Sequence, residues 1–184
     1  MNAKINELGY IFSEMVNNYN TFGMTWKNIP LCHHAFDLMC QLPDVLPGEY
    51  ETPADKASLL CQMLDHVIEG DIPRHCIKVR QYIQSLDPDN EDNNKQLSLL
   101  LNYISDPDAT NLSSSMLTSD PIERTPQWED VIYAVELEVD EILKDSPRGM
   151  GFCHEYWHTK RQVLAKYGID WKSPSMMNPG VIFD

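Results

Sequence analysis

The chain has 184 residues, 42% of them hydrophobic, and carries 28 acidic against 14 basic side chains for a net charge of −14. That length supports a core without disulfides or a structural metal. No apolar run approaches the ~18 residues of a membrane span, and the acid excess excludes non-specific nucleic-acid binding, which runs on Lys and Arg displacing counterions from phosphates.

The charge is unevenly placed. Residues 1–145 hold 9 basic and 25 acidic side chains, residues 146–184 hold 5 and 3, so a basic end can dock on an acidic body. Five cysteines (Cys32, Cys40, Cys61, Cys76, Cys153) are odd in number and lack any C-x-x-C pair, the pattern of reduced thiols. The first fifteen residues break their apolar character with Asn6, Glu7 and Glu14 and do not read as a signal peptide. A cytoplasmic protein is expected.

Residues 3–19 place Ile5, Leu8, Phe12, Met15 and Tyr19 three and four apart, one buried helical stripe. Pro30 suits the first turn of a short second helix through "LCHHAFDLMCQL". Thr52-Pro53-Ala54-Asp55 predicts a helix start, with Thr52 as N-cap and Asp55 at the positive end of the dipole. Leu59, Leu60, Met63, Leu64, Val67 and Ile68 form its apolar face, and Gly70 ends it. A further helix is expected from Pro73 to Ser85, then a polar loop "LDPDNEDNN", a short helix "KQLSLLLNYI" and a Ser, Thr, Asp and Pro-rich connection over 106–125.

Thr125-Pro126 repeats the cap-and-proline start. Trp128, Ile132, Val135, Val139 and Ile142 then recur at helical spacing, with a solvated acidic outer face of Glu129, Asp130, Glu136, Glu138, Asp140 and Glu141. "SPRGMG" leads to a last helix that Gly168 caps. Pro174 and Pro179 forbid a helical period in the remainder, yet Trp171, Met176, Met177, Val181, Ile182 and Phe183 predict that it packs. With alternating strand patterns nearly absent, the expectation is all-α: one domain over residues 1–184, a bundle of six or seven helices with an irregular, packed C-terminal tail. A small hairpin near "GVIF" in an α+β fold is the alternative.

One motif carries chemistry. His154-Glu155-Tyr156-Trp157-His158 matches H-E-x-x-H, which puts two imidazoles on one side of a helix with a glutamate placed to activate metal-bound water. In these five residues it resembles the zincin metallopeptidases. The resemblance implies a zinc hydrolase with His154 and His158 as metal ligands and Glu155 as general base.

The third ligand is where the pattern departs. No His or Glu follows His158, so the glutamate ligand of thermolysin-like families is missing. Arg161 and Leu164 stand where metzincins carry glycine and the last histidine. Asp170 is the nearby candidate; Cys61, His66, His75 and Cys76 would need tertiary folding to reach the site. At 100° per residue, Phe152, Cys153, Tyr156, Trp157, Val163, Leu164 and Tyr167 share one arc, while His154 and His158 lie beyond it beside Arg161. That places the pair away from the core, with a cation beside it that opposes a divalent ion. Cys153, on the apolar arc, reads as a buried structural thiol.

Other patterns are weaker. Asp87 to Asp92 starts like a calcium loop but has Asp92 at its glycine position and Ser98 at its glutamate position. Cys32-His33, His75-Cys76 and Cys153-His154 would each offer one ligand to a mixed zinc site. Phosphate loops, serine elbows and dinucleotide fingerprints are absent. The sequence therefore favours a non-enzymatic helical protein that needs no cofactor, zinc being the metal its motif would hold. It would bind another protein, one with a basic surface, through its acidic face or the aromatic region around Trp157, Tyr167 and Trp171.

Overall fold

A computed structural model describes residues 2–46, 52–105 and 117–183. Among them the fold is all-α: α1 Asn2–Asn20, α2 Asn28–Cys40, α3 Pro53–Leu64, α4 Pro73–Leu86, α5 Glu91–Ser105, α6 Pro126–Leu143, α7 Phe152–Lys166 and the four-residue α8 Pro174–Met177, with 3-10 turns at Thr25–Lys27 and Pro121–Arg124. No strand forms among the described residues, so the "GVIF" hairpin is not made. No helix among them is long and apolar enough to cross a membrane. The chain divides into two compact units, Met1–Leu101 and Asn102–Asp184, the boundary falling within α5. The connection over 106–125 lies outside the described residues up to 116.

In the first unit, α1 buries Leu8, Ile11 and Met15, while Tyr19 stays half exposed at its end, edge-on to His66. Asn28 holds three segments at once: its fully buried side chain donates to the carbonyls of Met15 (2.9 Å) and His66 (2.8 Å) and accepts from Asn18. That capture of the His66 carbonyl explains why α3 stops at Leu64 and turns, well before Gly70. Its start is as expected: Pro53 opens the helix and the Asp55 carboxylate accepts the Thr52 backbone N–H at 2.8 Å.

Lys56 is wholly buried, its Nζ donating to the Leu42 carbonyl (3.0 Å) and the Tyr82 hydroxyl (2.7 Å), which ties the chain after α2 to α3 and α4. Arg80 is held by the Glu69 carboxylate through two hydrogen bonds and by Asn93. The expected polar loop is shorter than predicted, because α5 starts at Glu91. The Asn90 side chain accepts the Asn93 N–H at 3.0 Å as a cap, and Glu91 and Asp92 meet the positive helix end.

In the second unit, α6 starts as predicted, with the Trp128 N–H donating to Thr125 Oγ1 at 3.2 Å. Its buried stripe is Trp128, Ile132, Val135, Glu136, Val139 and Leu143, whereas Ile142 is 53% exposed. α7 ends in a Schellman turn: Gly168 has φ +75, its N–H reaches the Ala165 carbonyl, and the N–H of buried Ile169 reaches Leu164. The tail packs through Ile169, Trp171 and Ser173, through Asn178 on the Thr118 backbone, and through Phe183 edge-on to Trp157 at 5.1 Å. Val181 and Ile182 stay exposed.

Candidate functional site

α6 and α7 pack together around a charged centre. Lys160 is buried and donates to Glu136 Oε1 at 2.6 Å; the Tyr156 hydroxyl donates to the same carboxylate at 2.7 Å. Its ammonium lies 5.0 Å from the Trp128 ring centroid, 5.4 Å from Trp171 and 5.7 Å from Tyr156. Ring faces and one carboxylate together replace the water that Lys160 gave up. Trp171 is therefore part of the core and not a surface for a partner.

The acidic side chains of α6 are not simply solvated. Glu138 pairs with Lys166 and Asp140 with Arg148, so with Lys160 three basic residues of the 146–184 segment answer three acids of one helix. Glu141 pairs within its helix region to Lys144. What points outward is a mixed row: Asp130, Tyr133, Leu137 and Glu141, at helical spacing and all exposed, Leu137 by 51%. The expected purely acidic face thus carries apolar side chains.

The H-E-x-x-H residues lie on α7 with His154, Glu155 and His158 all exposed. The His154 ring sits edge-on to Trp157 at 5.4 Å, Glu155 accepts from the Ser146 hydroxyl at 3.1 Å, and His158 meets the Gln162 amide at 3.0 Å. Cys153 is half-buried, not fully buried as predicted. Among the described residues, no group of three or more His, Cys, Asp or Glu is placed to hold a metal ion.

His158 does share a cleft of about 430 Å³ with Asp170. α7 supplies His158, Arg161 and Gln162 to one side, and the chain from Gly168 to Trp171 forms the other. That second side is held by its backbone. The Schellman turn sets its start, Arg161 Nε donates to the Trp171 carbonyl at 3.2 Å, and Asp120 accepts the Lys172 N–H at 2.6 Å. The Trp171 indole N–H donates to Glu123 at 2.6 Å, whose carboxyl burial raises above the usual range.

The other histidine candidates meet in the first unit. His33 of α2 and His75 of α4 stack with ring centroids 3.7 Å apart and planes 17° from parallel, and Phe36 closes edge-on at 5.5 Å. Burial pushes His75 down to about 4, with positive neighbours His33 and Lys78 adding to it. Cys32 is buried beside this pair, its thiol pushed up to about 12 by burial, which makes it inert as a nucleophile.

No protein-family model, no curated protein and no solved structure matches the chain.

Proposed function

We propose that the protein acts by binding another protein, and that the outward row of α6 is its contact surface. The observation that carries this reading is Tyr133 and Leu137 exposed on a helix whose flanking positions in the same row are Asp130 and Glu141. Apolar side chains in the middle of a patch supply affinity once water is excluded, and the acids around them steer a basic partner and set its register. The chain's net charge of −14 adds a long-range field of the same sign.

Capture experiments with the full chain test this. Proteins retained at low salt should be lost with Leu137→Arg and reduced at high salt, where the Debye length shrinks to about 3 Å at 1 M. Identical retention by wild type and variant would contradict the assignment of this face.

A zinc hydrolase with His154, His158 and Asp170 as ligands and Glu155 as base is the second reading, favoured by one observation, that His158 and Asp170 line the same cleft. Protein purified without a histidine tag decides it. The binding reading expects less than about a tenth of an equivalent of zinc, unchanged by His154→Ala, since catalytic zinc needs three protein ligands. Stoichiometric zinc lost in that variant would establish the metal site that this second reading requires.

A further inference from the structure

The cleft beside α7 holds two opposite charges that do not pair with each other. Arg161 spends its Nε–H on the Trp171 carbonyl, which fixes the guanidinium plane and leaves both Nη groups for another acceptor. Among the described residues no carboxylate lies within ion-pair distance of it, Asp170 included, although both line the same space. Both side chains are exposed, so a ligand reaches them without opening the fold. Asp170 likewise has no hydrogen-bond or ion partner among the described residues, while its backbone is pinned between buried Ile169 and Trp171.

The chemistry of the lining selects the ligand. A metal ion would find His158 and Asp170 but also a fixed cation beside them, which opposes it. A simple anion would suit Arg161 but meet Asp170 and the field of a strongly acidic protein; a simple cation would meet Arg161. A molecule bearing both charges and no net charge satisfies each side without a long-range penalty. Ile169 and Trp171 back the cleft but are themselves buried, the exposed Ala165 methyl is the apolar side chain its lining offers, and a space of about 430 Å³ falls in the range of small-molecule sites.

We propose that this cleft binds a small zwitterion of the amino-acid or dipeptide class, with its carboxylate on Arg161, its ammonium on Asp170 and its apolar side chain against Ala165. The His158–Gln162 pair borders the site as a hydrogen-bonding edge. With Nε engaged, the two Nη groups remain to donate to a carboxylate through two hydrogen bonds.

Titration of the full, ¹⁵N-labelled chain tests this, with the dipeptide Leu-Leu as probe, 4-methylpentanoate as the carboxylate-only control, leucine amide as the ammonium-only control, and Zn²⁺ alone. Leu-Leu should give saturable shifts centred on the amides of residues 168–171, with both controls weaker. Arg161→Met and Asp170→Asn should each weaken Leu-Leu by about fivefold, the scale of one exposed charge contact. Asp170→Asn should instead tighten 4-methylpentanoate, an effect that loss of structure would not produce. Absence of saturable shifts below about 20 mM, a very weak Kd, or equal affinity in wild type and Arg161→Met, overturns the proposal. So does Zn²⁺ moving these amides when Leu-Leu does not.

Discussion

His75 shows how one residue's surroundings set a property of the fold. Its imidazole is buried against His33 and held at about 4, below the 6.5 of a free side chain. The folded state keeps it neutral, while the unfolded chain takes up a proton near 6.5. Its contribution is therefore complete above about pH 6.5, falls as pH drops from there towards 4, and amounts to at most about 3 kcal/mol. Urea unfolding followed by circular dichroism at pH 7 and pH 5 should show a larger loss for wild type than for His75→Gln. Equal losses would mean that His75 takes no part. The stacking itself was not legible in the sequence. Cys32-His33 and His75-Cys76 could be seen as paired candidates, but their meeting depends on how α2 and α4 cross.

At the scale of elements, the α6–α7 pair depends on a buried charge for its fit. Removing one partner strands the other, whereas removing both leaves aromatic and aliphatic surface that packs by itself. Lys160→Met should cost about 3–5 kcal/mol by leaving Glu136 uncompensated, and Glu136→Gln with Lys160→Met should recover most of it. Thermal unfolding of wild type and the two variants measures this, and a double variant no more stable than the single one would contradict it.

Helix starts were legible because their signals are local: Thr52-Pro53 and Thr125-Pro126 cap as their sequences dictate. The buried ion pair was legible in principle and overlooked. On a 100° wheel Glu136 falls about 40° from Ile132, within the apolar arc, and Lys160 falls between Val163 and Leu164. The start of α5 was missed as well: Asn90, Glu91 and Asp92 suit a loop by composition and a capped helix by order, and order decides.

Over the whole molecule, the spacing of apolar residues was enough to predict the all-α fold class, since helical periods pervade the chain and strand alternation does not. The boundary between the two compact units falls inside α5, shortly before the Ser, Thr, Asp and Pro-rich connection that the sequence shows. Charge asymmetry foretold the docking of basic α7 on acidic α6, but the same pairing removes much of the acidic face that composition assigned to a partner. What remains outward on α6 is narrower and more apolar, and the proposed function rests on it. Site-specific photo-cross-linking in living cells measures this most directly, with a benzoylphenylalanine at Leu137 and a control at Ser98, an exposed polar position on α5. Discrete adducts at 137 that are missing at 98 are the predicted result; matching patterns at both positions, or none at 137, would contradict it.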